Sequence, residues 1–151
     1  MTWIEEAKEA IKQSSATSSV YIGSDSIVHY KNGKNFARYS TVIVIHKDSC
    51  HGCKIFYNSE VMPDYLNIKQ RLLNEVQFAV SAASEIIDVL DGRHLEIHLD
   101  INESPRYKSN AAVKEALGWV KGVLGIDAKI KPHSWVASHC ADHAARGLFS
   151  S

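Results

Sequence analysis

The dipeptide Asn32-Gly33, set between two long apolar segments, constrains this chain more than any other feature. Asn followed by Gly tolerates positive φ at both central positions of a two-residue loop, so Lys31-Asn32-Gly33-Lys34 predicts a β-hairpin. The first arm, residues 20–30, opens with Val20-Tyr21-Ile22, and the second, residues 36–46, contains Thr41-Val42-Ile43-Val44-Ile45. A strand that is apolar at successive positions is buried on both faces. The hairpin therefore belongs inside a sheet with layers packed above and below it.

The rest of the chain supplies those layers. Residues 2–13 read as a helix with Ile4, Ala7 and Ile11 on one stripe, ended by the polar run at 13–19. A loop at 47–52 leads to a third strand at 54–59, which completes an antiparallel meander. Pro63-Asp64-Tyr65 is expected to open a long helix. Within it Leu72, Val76, Val80, Ala83, Ile87 and Leu90 recur at helical spacing, and Asp91-Gly92 stops it. Residues 95–100 alternate strictly, with Leu95, Ile97 and Leu99 on one side and Glu96, His98 and Asp100 on the other. A strand reached through a long helix is a crossover, so this fourth strand is expected to run parallel to its neighbour. A polar loop at 102–109, a helix at 110–123, a fifth strand at 126–131 ended by Pro132, and a last helix within 135–146 follow. The expected fold is α/β: one domain, residues 1–151, with a mixed five-stranded sheet flanked by helices and an extra N-terminal helix. Strands one to three form the meander, and strands four and five are parallel additions.

Seventeen basic and seventeen acidic residues cancel, which excludes a protein that coats nucleic acid by bulk charge. Local basic pairs remain at Lys69/Arg71, Arg106/Lys108 and Lys129/Lys131, each read in the first place as solvated surface. No apolar stretch approaches the ~20 residues of a membrane span. The N-terminus reads as an amphipathic helix rather than a leader. With three cysteines, an odd count, the expected compartment is a reducing cytoplasm.

Four carboxylates fall on four different expected elements: Asp25 in the first strand, Glu75 in the long helix, Asp100 at the end of the fourth strand and Asp142 in the last helix. Phosphodiester hydrolysis needs an activated water and a stabilised leaving oxygen, and two divalent cations about 3.5–4 Å apart supply both. Carboxylates from separate elements suit Mg²⁺ or Mn²⁺, hard ions that take oxygen ligands. Each residue also has an ordinary reading. Asp25 could be a bulge, Asp100 a strand-end cap, Glu75 one of many helix glutamates, and Asp142 a surface acid. An Asp in mid-strand disfavours folding, which weighs toward function. His139, near Asp142 on the expected last helix, is a candidate for protonating the leaving oxygen. His98 reads as a packed histidine, and Trp119 and Trp135 as core or as base-stacking residues. Cys50-His51-Gly52-Cys53 has the spacing of a zinc knuckle but no second pair, so structural zinc is not expected.

The order of elements and of acidic residues resembles the ribonuclease H-like superfamily. Tyr21-Ile22-Gly23-Ser24-Asp25-Ser26, the run from Glu96 to Asn102 and Lys114-Glu115-Ala116-Leu117-Gly118-Trp119-Val120 resemble the YkuK type of bacterial ribonuclease H-like proteins, over nearly the whole chain from Ser18 onward. The resemblance implies a two-metal phosphoryl hydrolase acting on nucleic acid (RNA, RNA–DNA hybrid or structured DNA). Asp25, Glu75, Asp100 and Asp142 would be its metal ligands. The alternative is a non-catalytic nucleic-acid or protein binding module that retains the fold.

Overall fold

A computed structural model describes residues 1–46, 53–101, 110–131 and 133–136. Helix α1 spans Trp3–Gln13 and starts in a capping box. Thr2 Oγ1 accepts the Glu5 N–H at 3.2 Å while Glu5 Oε2 accepts the Thr2 N–H at 3.0 Å. Its buried residues are Ala7 and Ile11, the inner part of the stripe seen in sequence.

Strands β1 (Ser19–Lys31) and β2 (Lys34–His46) form the expected hairpin, paired from Ser19↔His46 to Lys31↔Lys34. Asn32 and Gly33 sit at φ 53° and 77°, the conformations for which that dipeptide is suited. Strand β3 (Cys53–Pro63) pairs antiparallel with β2 without interruption, from Phe36↔Pro63 to His46↔Cys53. It therefore runs four residues past the expected end at Ser59. Its outer half is exposed and lacks the alternation that marks a strand in sequence. Strand β4 (His94–Leu99) pairs parallel with β1, from Ser19↔His94 to Ser24↔Leu99, and the sheet order is β3-β2-β1-β4.

Helix α2 (Ile68–Ile86) begins five residues later than Pro63 suggested. Pro63 closes β3, and Asn67 is the cap, its side chain accepting the Gln70 N–H at 3.0 Å. The Asp64 carboxylate is used instead in the connecting loop, where it accepts from Leu66 N–H at 3.0 Å and Arg71 Nε at 3.3 Å. The helical stripe tightens into a 3-10 turn at Ile87–Val89, and Asp91 and Gly92 reverse the chain at φ 46° and 83°. Helix α3 covers Asn110–Leu124.

The expected fifth strand is not formed as such. Around Lys129 only an isolated parallel bridge to His98 is present. Lys129 donates to Ile97 O at 2.7 Å and accepts from Leu99 N–H at 2.9 Å, and Lys131 N–H reaches Ile101 O at 3.0 Å. The described sheet therefore has four strands plus this short tether along β4.

The apolar run of β2 is divided between two faces. Ile43 and Ile45 join Val20, Ile22, Ile97 and Leu99 beneath α1, α2 and α3. Val42 and Val44 pack with Val136, Tyr21 and Tyr57 on the other face. Each fully buried isoleucine contributes about 1.5–3 kcal/mol, so the sandwiching of β1 and β2 fixes the strands that carry the site. No described helix is long and apolar enough to cross a membrane.

Candidate metal and phosphate site

β4 ends its pairing at Leu99, opposite Ser24, while β1 continues to Lys31. Beyond that point β1 has no parallel neighbour among the described residues. Asp25 stands at the first such position. Its Oδ1 accepts the Ser26 N–H at 2.8 Å. The residue after Leu99 is Asp100. One step along a shared parallel register therefore places two aspartates side by side at the end of the sheet.

Glu75 comes from α2. It lies next to Val76, which is fully buried against the sheet, so its side chain leans inward along the edge of the helix. Ser26 Oγ donates to Glu75 Oε2 at 2.7 Å. Asp25, Glu75 and Asp100 line one cavity of about 210 Å³, together with Ser26, Ile68, Arg71, Leu72 and Ile101. Asp25 is buried, whereas Glu75 and Asp100 keep part of their surface in solvent.

The electrostatics follow from that proximity. Burial pushes the Glu75 carboxyl well above the usual carboxylate range, and the charge of Asp25, then of Asp100, adds to the shift. The Ser26 hydroxyl and the Arg71 guanidinium act in the opposite direction. Lys131 Nζ forms an ion pair with Asp100 at 2.9 Å, so the tether along β4 brings a cation to the rim of the acidic cavity. Among the described residues, no three Asp, Glu, His or Cys side chains are grouped so as to hold a metal ion. The donors nonetheless fit a hard divalent cation in kind. They are carboxylate oxygens that repel one another, and one of them already attracts an ammonium group.

Three of the five expected site residues, Asp25, Glu75 and Asp100, are thus brought together. Asp142 and His139 lie outside the described residues, as do Cys50 and the basic pair Arg106/Lys108. Of the thiols in the C-x-x-C motif, Cys53 is described and is exposed. Lys69 pairs with Glu115 at 3.1 Å and Arg71 with Asp64 at 3.3 Å. Trp119 packs against the core, in keeping with its ordinary reading.

His98 is packed, as its position in the alternation suggested. It is fully buried, with its ring 5.5 Å from those of Tyr21 and Trp135. The Val136 N–H donates to Nδ1 at 3.2 Å, which leaves Nε2 to carry the proton donated to Glu96 Oε1 at 2.9 Å. The bond ties β4 to the segment that leads toward residues 139 and 142.

Three further residues border the acids, of which the sequence reading had Arg71 and Lys131 only as members of basic pairs and gave Ser26 no role. Ser26 and Lys131 touch the acids directly, and Arg71 shares the cavity. Arg71 also lies one helical turn before Glu75 and shares its face.

Comparison with known proteins agrees with this geometry. A family described as ribonuclease H-like matches residues 2–146. No curated protein and no solved structure matches the chain. With the match spanning almost its whole length and the acids of β1, α2 and β4 meeting in one cavity, the chain belongs to the ribonuclease H-like family.

Proposed function

We propose that this chain hydrolyses phosphodiester bonds of nucleic acid at the cavity of Asp25, Glu75 and Asp100, with Mg²⁺ or Mn²⁺ as the metal. The observation that carries the reading is the convergence of three carboxylates from β1, α2 and β4 on one cavity of about 210 Å³. Bound divalent ions would activate the attacking water and stabilise the leaving oxygen. Asp25 and Asp100 would help hold the ions, kept in place by neighbouring strands. Glu75 would hold one ion and orient the water, its position fixed by Ser26. Asp142 would complete the second set of ligands, and His139 would donate a proton to the leaving oxygen. Arg71, which borders the same cavity, would pair with a substrate phosphate.

One contact favours the second reading, a binding module without catalysis. Lys131 already satisfies Asp100 at 2.9 Å, and a metal would have to displace it. A single experiment separates the two. The protein and its Asp25→Asn variant are offered single-stranded RNA, RNA–DNA hybrid, duplex and branched DNA with Mg²⁺, Mn²⁺ or EDTA, and thermal stability is recorded alongside. Metal-dependent cleavage that falls roughly 100-fold or more in the variant, with loss of metal-induced stabilisation, supports the nuclease. Nucleic-acid binding that weakens steeply with salt, with neither cleavage nor a metal response, supports the module.

A further inference from the structure

The outer edge of β3 is long and poorly defended. It runs eleven residues, Cys53–Pro63, pairs with β2 on its inner side with no break in register, and lies at the end of the described sheet. Natural edge strands resist pairing through shortness, bulges, internal proline or repeated lysines. Here the single proline is the last residue, and the one lysine is Lys54. Ile55, Val61 and Met62 are 40%, 59% and 38% exposed, so the strand presents apolar side chains beside its backbone donors and acceptors.

We propose that this edge pairs with the same edge of a second copy of the chain, antiparallel about a two-fold axis at Tyr57, joining two sheets into one. The charges select the occupant and the register. In a two-fold antiparallel pair centred on Tyr57, Lys54 faces Glu60 of the other copy, and the contact occurs twice by symmetry. Both residues are exposed, and neither forms an ion pair among the described residues. Lys54 and Glu60 lie on the same face of the strand as Phe56, which packs against the main core, while Tyr57 packs against the second cluster. The same register sets Ile55 beside Ser59 of the other copy and Val61 beside Cys53, so an apolar residue on each copy gains a small neighbour rather than a charge. A shift of the axis by one residue would place Lys54 opposite Asn58 or Met62 and lose both ion pairs. The inference does not depend on the activity proposed above.

The test is the oligomeric state of the full chain, read by light scattering and sedimentation up to roughly 300 μM, a range that captures weak interfaces. The wild type is expected to sediment as a dimer. Lys54→Glu alone and Glu60→Lys alone each turn both symmetric contacts repulsive, and each is expected to raise the dissociation constant roughly tenfold. The double exchange, Lys54→Glu with Glu60→Lys, restores opposite charges and is expected to recover the wild-type value. Circular dichroism of each variant confirms the fold, since both positions are exposed. A wild type that stays monomeric over the whole range overturns the proposal, whether the edge is then covered by another protein or by none. A dimer indifferent to both single reversals, or not recovered by the double exchange, overturns it as well.

Discussion

The hydroxyl of Ser26 donates to the carboxylate of Glu75 at 2.7 Å, joining β1 to α2 across 49 residues of sequence. This bond holds the helix acid against the strand that carries Asp25. Glu75 is thereby kept close enough to Asp25 for their charges to repel.

That repulsion has a direct consequence for the metal-free protein. The folded-state pKa of Glu75 lies above its unfolded value, which is about 4.3. The native state therefore holds the proton more tightly than the unfolded chain, and stability falls as pH rises from the unfolded pKa through the folded one. The ionisation cost therefore grows as pH rises above the unfolded value. Glu75→Gln is expected to raise the melting temperature at pH 7.5 in EDTA by about 2–4 °C, with the gain vanishing near pH 4. Calorimetry at the two pH values decides it, and a variant no more stable than wild type at pH 7.5 would contradict the account.

Lys131 competes with any cation for Asp100. Its side chain is about half exposed, so the ion pair contributes at most about 1 kcal/mol to folding. Lys131→Met is expected to leave stability within that margin while tightening Mn²⁺ binding roughly tenfold, since a positive charge beside the site is removed. Titration calorimetry or metal-dependent melting measures the change. Weaker binding in the variant would show that Lys131 assists rather than opposes the metal.

His98 is a structural joint whose strength depends on pH. Burial holds its pKa below the usual imidazole value, against the pull of Glu96 and with the help of the Lys129 charge. Tyr21 and Trp135 enclose the ring. The native state favours the neutral form, so its contribution is complete above the unfolded value of about 6.5 and is lost as pH falls through it toward the folded one. His98→Phe removes the acceptor for the Val136 N–H and is expected to cost about 1–3 kcal/mol at pH 7.5. The variant should approach wild type as pH drops toward 5. Urea unfolding at the two pH values is the measurement, and a constant difference would remove His98 as the titrating group.

Asp64 organises the loop between β3 and α2 through Leu66 N–H and Arg71 Nε. The residue is buried, and Asp64→Ala is expected to lose about 1–2 kcal/mol. Freed from this partner, Arg71 would also alter phosphate binding at the neighbouring cavity. Denaturant unfolding together with the salt dependence of nucleic-acid binding would show both effects. Unchanged stability would mean that the loop holds its form without the carboxylate.

The parts of the fold that were legible in sequence are those where one local rule governs. Asn32-Gly33 dictated the hairpin, and Leu72, Val76, Val80 and Ala83 marked the buried face of α2. Asp25 and Asp100 stood out because an acid within or ending an apolar strand is costly unless it is used. What stayed hidden depends on partners remote in the chain. The outer end of β3 is held by backbone pairing to β2, which leaves no apolar pattern. Asp64 looked like a helix start until Asn67 took that role. The segment around Lys129 has strand-like residues but makes one bridge, because pairing depends on how the chain arrives at the edge of β4. Ser26 gave no signal, and Lys131 only that of a basic pair, since serine and lysine are ordinary almost anywhere on a surface.

The placement of β1 between β2 and β4 also dictates an order of assembly. The meander can zip up locally as the chain emerges during synthesis, but its other central edge must wait for residues made only after the whole of α2. Until then the nascent sheet carries an open flank and an uncovered greasy face, the species most prone to stick to its neighbours. The acidic cavity is accordingly among the last features to exist, because its third acid arrives with the strand that completes the sheet.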